Sequence, residues 1–352
     1  MRILRELTDQ LVRDHCLSKE ELLYVLDHMD EDSRAYLTAQ AHETRVRYCG
    51  KGVYLRGLIE FTNYCKRDCL YCGIRASNQN ACRYRLSADE IMAVCRKGYD
   101  LGYRTFVLQG GEDVFFTDER MEEIITRIKA GFPLCAVTLS LGEKPFASYE
   151  KYFQAGADRY LLRHETASPA LYRRLHPPGM RLEHRIQCLK NLKKIGYQVG
   201  AGFMVGLPGQ TNADFVEDLY FLQELQPHMI GIGPFIPHKD TPLAGEKAGT
   251  VEATLVLLSL IRLLLPEVLL PATTALGTID PTGREKGLKA GANVVMPNLS
   301  PGEVREKYAL YDGKICTGEE AAECLHCIQS RIARAGFLAD MSRGDHPSWE
   351  RK

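Results

Sequence analysis

Between residues 53 and 296 the chain repeats one pattern eight times: a short apolar, strand-like run followed by a longer amphipathic stretch. The runs fall at 54–62, 104–109, 134–140, 157–162, 197–205, 228–232, 268–273 and 292–296. A connection long enough to hold a helix is what parallel strand pairing requires. Eight such repeats predict an α/β chain folded as a complete (β/α)8 barrel of the TIM type. Glycines placed just ahead of strands (Gly102, Gly156, Gly196, Gly291) fit short helix-to-strand turns. Ser87 with Glu90 and Thr211 with Asp214 mark two helix starts, each a hydroxyl followed three residues later by an acid. Ahead of the barrel, Ile3, Leu4, Leu7, Leu11 and Val12 recur at helical spacing, and Ser18 with Glu21 caps a second helix. The expected organisation is a helical extension over 1–48, the barrel over 49–300, and a cysteine-bearing C-terminal segment over 301–352.

Charge and cysteine usage narrow the classes of function. Basic and acidic residues balance at 45 each, so no polyanion is expected as partner, nucleic acid included. The apolar run at 256–261 meets Arg262 and then Pro266, which reads as a buried helix and not a membrane span. Glu6 interrupts the N-terminus before any apolar run, so no signal peptide is expected, and the predicted location is cytoplasmic. Twelve cysteines in such a chain read as metal ligands or buried thiols rather than as a disulfide framework.

Cys65, Cys69 and Cys72 follow the first strand as Cys-x-x-x-Cys-x-x-Cys. In (β/α)8 barrels the chemistry sits at the C-terminal ends of strands, where this loop falls. Three thiolates can hold three irons of a [4Fe–4S] cluster, leaving one iron open to a ligand. Zinc is the alternative, but residues 73–81 offer no fourth Cys or His, and structural zinc sites are closed and tetrahedral. The spacing, with Tyr71 before the last cysteine, resembles the signature of radical S-adenosylmethionine (SAM) enzymes. The resemblance implies a [4Fe–4S] cluster whose fourth iron chelates SAM, and an oxygen-poor setting.

Other strand ends carry groups suited to SAM. Gln109, Gly110, Gly111 and Glu112 follow the second strand and resemble the Gly-Gly-Glu segment that binds the SAM amino group. Arg163 and Glu165 follow the fourth, where Glu165 could accept from ribose hydroxyls or the ammonium. Arg185 presents a guanidinium fork suited to the SAM carboxylate. Met204 ends the fifth strand and could pack on SAM or belong to the core. Thr138 on the third strand and Thr273 and Thr274 at the seventh are hydroxyl candidates for a substrate pocket; helix capping is the alternative for the latter two. Cys316, Cys324 and Cys327 form a second thiol triad, with His326 beside it, readable as a second iron–sulfur cluster or as loose surface cysteines. Cys16, Cys49, Cys82, Cys95, Cys135 and Cys188 are isolated and read as structural.

Nearly the whole chain resembles the HydE family of radical SAM [FeFe]-hydrogenase maturases. The resemblance rests on residues 56–65, 108–113, 163–166, 206–211 and 231–238, and above all on 271–275, 296–298 and 310–316. It implies a 5′-deoxyadenosyl radical acting on a sulfur of a cysteine-bound Fe(CO)2(CN) substrate, in assembly of the hydrogenase diiron cofactor. It further implies companion maturases, and a reduced donor such as ferredoxin or flavodoxin. Tyr308 and Tyr311 join the threonines as pocket candidates. The C-terminal triad matches that family's dispensable second cluster. Biotin synthase shares the barrel but holds a sacrificial cluster on cysteines that align with Val107, Ala136 and Gly200 here; Cys135 is one residue out, which turns it to the opposite face. A methylornithine synthase-like mutase is the nearer rival, and a non-catalytic iron–sulfur scaffold or electron carrier is the alternative outside enzymes.

Overall fold

The computed structural model describes residues 2–318 and 321–351. Three helices lead: α1 (Arg2–Asp14), α2 (Lys19–Asp27) and α3 (Glu31–Cys49). Then come β1 (Gly52–Leu55), β2 (Gly57–Thr62), α4 (Ala88–Asp100), β3 (Thr105–Gly110), α5 (Asp118–Gly131), β4 (Ala136–Ser140), α6 (Phe146–Ala155) and β5 (Arg159–Leu161). The second half holds α7 (Pro169–Leu175), α8 (Leu182–Ile195), β6 (Gln198–Ala201), β7 (Met204–Val205), α9 (Asn212–Leu225), β8 (Met229–Ile230), β9 (Gly233–Pro234) and α10 (Val251–Leu264). The chain ends with α11 (Thr274–Ile279), α12 (Gly283–Lys289), β10 (Val294–Val295), α13 (Gly302–Arg305), α14 (Ala321–Arg334) and β11 (Leu338–Asp340).

Local signals act where the sequence places them. Ser18, Ser87 and Thr211 each accept from the backbone three residues on, and the acid there reaches back to the cap. Gly156 and Gly196 end α6 and α8 with positive φ, the left-handed conformation a side chain disfavours.

Strands β2, β3, β4, β5, β6 and β8 form one parallel sheet in that order. Single backbone contacts complete the ring: Ile230 N donates to Leu269 O, Asn293 N to Leu270 O, and Leu58 N to Pro297 O. The eight expected staves therefore stand round one barrel, whose outward residues such as Ile59, Phe106, Leu139 and Val199 are buried beneath the helices, while Val107 and Thr138 turn inward. Two staves are less regular than the sequence suggests. The stave at 197–205 breaks at Gly202, φ +150°, where a Cβ would lie 2.0 Å from Gly231 O. The stave at 268–273 pairs through isolated bridges at Leu269 and Pro271, because proline has no N–H to give a ladder.

Helix α2 packs on α9 and α3 on α10. Arg45 of α3, fully buried, donates to Gly50 O, to Gly52 O at 2.7 Å and to Ala292 O at 3.3 Å, tying the extension to the foot of the barrel. Among the described residues no helix is long and apolar enough to cross a membrane. The C-terminal segment closes the base, which the sequence does not announce. β11 pairs with β1, and the chain beyond runs beneath the staves. There Arg159 donates to Arg343 O (2.7 Å) and Asp345 (2.5 Å), Gln198 to Asp345 (2.7 Å), and Arg56 to Gly344 O (3.1 Å).

Candidate active site

The three cysteines of the first motif border the mouth of a cavity of about 310 Å3 that descends into the barrel as far as Arg56. The loop carrying them is packed closely from two sides. A Cβ on Gly111 would meet Tyr64 O at 2.2 Å, and one on Gly73 would meet Ala309 O at 2.2 Å. Both positions accept only glycine without displacing backbone. Arg67 N and Glu112 N each point at Cys65 Sγ from 3.4 Å. Such donors favour a thiolate, whereas burial pushes the thiols up, Cys69 to about 12. Only a strong positive charge supplied by bound metal makes thiolates of them, which is the donor chemistry of an iron–sulfur site. Among the described residues no three His, Cys, Asp or Glu side chains converge on a single-ion site.

Tyr71 is half-buried, and its hydroxyl lies 3.0 Å from His176 Nε2. His176 Nδ1 lies 2.9 Å from Tyr172 O and must donate to it, so Nε2 accepts from Tyr71. Burial holds the His176 imidazole neutral, its pKa lowered to about 4.

A chain of buried charges braces the rest of the rim. Glu112 accepts from Arg67 Nε at 2.7 Å and from Glu143 N at 3.0 Å. Glu143 in turn accepts from Arg185 Nε at 2.7 Å and Arg67 Nη2 at 3.1 Å. Burial would raise the Glu143 pKa, but Arg185 and Arg67 outweigh it and hold the group ionised. Arg185 also donates to Arg163 O at 3.2 Å. Arg163 pairs with Glu165 at 2.7 Å, and its buried Nε has no partner. Glu165 has φ +68°, a strained conformation for a side chain of that kind, held by Glu165 N to Gly202 O and Met204 N to Glu165 O.

Of the residues the sequence assigned to SAM, Tyr71, Gln109, Gly110, Gly111, Glu112, Arg163, Glu165 and Arg185 all line this cavity. Met204 does not; it packs with Leu171, Leu175, Leu207 and Phe235, on which Tyr71 also rests. Thr138 lines the cavity with its buried hydroxyl unpartnered, and Thr273 lines it while also capping α11. Tyr308 lines it and accepts from Gln109 Nε2 at 3.3 Å. Thr274 and Tyr311 stand outside. Thr274 accepts from Arg284 at 3.1 Å, on the side facing Cys316. Cys135 is buried with Sγ towards Tyr103 O, away from the cavity. Glu143, Arg67, His176 and Arg56 belong to this arrangement and were not singled out from the sequence; strand-end position was the one available signal, for Glu143.

Comparison with known proteins agrees with this geometry. The family model of the Radical SAM superfamily matches residues 59–222. The [FeFe] hydrogenase maturase subunit HydE of Thermotoga maritima is 48% identical over 332 residues, covering 94% of each chain. The chain belongs to the HydE family of radical SAM enzymes. The 3-methylornithine synthase of Methanosarcina barkeri is 30% identical over 87% of this chain and 86% of its own. The solved methylornithine synthase (PylB) superposes with a TM-score of 0.84 at 26% identity, over 95% of this chain and 97% of that one. The maturase HydG from Carboxydothermus hydrogenoformans, at 20% identity, shares the fold, with a TM-score of 0.82 over 96% of this chain and 79% of its own.

As a HydE-family enzyme the chain works with a [4Fe–4S] cluster and SAM, and takes part in [FeFe]-hydrogenase maturation. The second triad lies outside the barrel. Cys316 (φ +64°), Cys324 and Cys327 border a surface hollow together with Arg284 and Arg331. Cys324 is buried, while Cys327 is exposed.

Proposed function

We propose that this chain cleaves SAM reductively at Cys65, Cys69 and Cys72 and directs the radical to the sulfur of an anionic, cysteine-bound Fe(CO)2(CN) unit. Companion maturases would make that unit and take the product on toward the diiron subcluster. The bound cluster supplies one electron that breaks the S–C5′ bond of SAM, giving methionine and a 5′-deoxyadenosyl radical. The protein's own part is to hold, orient and keep water out. Cys65, Cys69 and Cys72 would hold three irons. The Gly110–Gly111 turn and Glu165 would face the SAM ammonium and ribose. Arg163, whose Nε has no partner among the described residues, is the candidate cation for the SAM carboxylate, while Arg185, held by Glu143, donates to Arg163 O and positions it.

One observation carries the anionic substrate. Below the thiols, Arg56 and Thr138 line the cavity, and each keeps a buried donor, Arg56 Nε and Thr138 Oγ1, without a partner among the described residues. Arg56 donates to Gly344 O and Met229 Sδ but forms no ion pair with a carboxylate among the described residues, and burying a cation without its counter-charge costs about 3–5 kcal/mol, which an anion in the cavity offsets. A diamino acid such as methylornithine would instead bring a second cation towards Arg56, which favours the maturase reading over the mutase. Thr273 and Tyr308 would complete the pocket.

The test is anaerobic reconstitution, reduction with dithionite and addition of SAM, with 5′-deoxyadenosine followed by chromatography. Cleavage is expected, and the cysteine-bound iron unit should be consumed with it. An intact cluster that leaves SAM untouched would establish the scaffold reading instead.

A further inference from the structure

Eight large apolar side chains are exposed among the described residues, and only Val114 and Phe115 of these are sequence neighbours. Val114, at 72% exposure, is the barest of them. These two residues sit beside the thiol loop. Glu112 N touches Cys65 Sγ, and Val114 comes two residues later, so its Cα is within about 8 Å of that of Glu112.

Cations ring this apolar tip. Arg120 lies over the Phe115 ring at 3.8 Å and Arg85 over the same ring at 4.8 Å. Arg85 also covers Tyr64, the residue before Cys65, at 3.7 Å, and Lys66, just after Cys65, stands half exposed with its ammonium 3.7 Å from the buried Glu112. Two acids of the same stretch lie buried beneath these cations. Asp113 is buried against Arg85 and Thr62, and Glu112 against Arg67. Asp118 is held by Ser148 and Tyr152, and Glu119 is exposed but paired with Lys151. The exposed surface nearest Cys65 is thus apolar at its centre and basic at its rim, on a chain whose net charge is zero.

We propose that the Val114–Phe115 tip, with Arg85, Arg120 and Lys66 around it, is the docking face for a small acidic one-electron carrier protein. An apolar centre with a charged rim is the build of a transient protein interface, and the rim charges set encounter rate and orientation. The docking face rests on the radical SAM reading above, since only a cluster that must be reduced needs a donor here. The electron count closes simply. One reduced carrier gives up one electron, and one S–C5′ bond accepts it, so one carrier is oxidised for each methionine released.

Reduced flavodoxin serves as the probe, with the reconstituted full-length enzyme and a Val114→Asp/Arg120→Glu variant. Binding is measured by calorimetry and by anaerobic stopped-flow oxidation of the flavin. The variant should bind about tenfold more weakly and take electrons correspondingly more slowly, and wild-type binding should weaken with added salt. Its SAM cleavage with dithionite should match the wild type, because neither side chain lines the cavity. Flavodoxin affinity and flavin oxidation unchanged in the variant would overturn the docking face. Failure of the wild type to cleave SAM with dithionite would overturn the radical SAM reading, while the calorimetric comparison would still decide the docking face.

Discussion

Cys65, Cys69 and Cys72 stand on a loop clasped between the Gly111 turn and the segment at Ala309, whereas Cys316, Cys324 and Cys327 stand on the barrel's flank with one thiol in solvent. The first loop touches the Gly111 turn on one side and Ala309 on the other, and receives two backbone N–H donors at Cys65. It also opens on a cavity lined by Arg163, Glu165 and Arg185. The second triad has Arg284 3.7 Å from Cys316, and its hollow faces outward. Equal numbers of thiols thus occupy unlike surroundings. What makes a reactive centre of the first is enclosure and charge bracing; the second has Arg284 and the Arg331–Glu285 pair beside it but leaves Cys327 in solvent.

That contrast is easiest to break at the ligands. Cys69→Ser should reduce SAM cleavage to background, read as 5′-deoxyadenosine formed under dithionite. Full activity in this variant would remove the ligand assignment. Bracing is tested next by Glu143→Gln, which keeps volume but leaves Arg67 and Arg185 without their shared carboxylate. A small displacement of positioning groups costs about 10²-fold in rate, so a loss of that order is expected in steady-state cleavage. The variant should also melt earlier, because removing one partner of a buried ion pair costs about 3–5 kcal/mol.

Much of this site is legible in the sequence, and the exceptions have physical causes. Cysteine spacing, the Gly110–Gly111 turn, Arg163 and Glu165 could be read because each follows a strand whose end must face the mouth, and Arg185 by its guanidinium on the helix after them. Glu143 stands in no motif, and its weight comes from two arginines distant in sequence. Met204, at the end of the fifth strand, reads equally as a SAM contact or as core; the stave breaks at Gly202, and Met204 packs into the cluster of Leu171, Leu175, Leu207 and Phe235. Thr274 was assigned by its neighbour; the start of α11 turns the two hydroxyls apart. The fold itself was legible from its period. The base plug was not, because β11 lacks a buried face to mark it as a strand.

The segment bearing the second triad therefore acts on the barrel mainly beyond its thiols, through that plug, and pH should expose it. His228 and His346 face each other at 5.1 Å, and burial lowers each pKa to about 4. Both use Nδ1 to accept backbone N–H, from Val199 and Ser348, a bond that protonation destroys. The unfolded chain binds these protons near pH 6.5 and the folded one only near 4, so their contribution is complete above 6.5 and is lost as pH falls through 4. Asp345, lowered to about 2, keeps its ion pairs across that window. Melting temperature should fall between pH 6.5 and 4, and His346→Gln should flatten the fall. An unchanged slope would place the acid sensitivity elsewhere.

The smallest effect is expected at Cys327. Its thiol is exposed and lines the outer hollow, while the barrel cavity is bordered by none of the second triad. Losing it removes no contact to Thr273, Tyr308 or Glu165 in that cavity. Cys327→Ser should therefore lower the iron content by no more than the share of a second cluster, measured by chemical analysis, and leave dithionite-driven SAM cleavage within about twofold of wild type, as surface substitutions away from a site usually do. A large loss of cleavage with the first cluster's spectrum intact would mean that the flank reports to the mouth. The route would then be Arg284, which touches Cys316 and Thr274 at once, and Arg284→Lys would have to reproduce the loss.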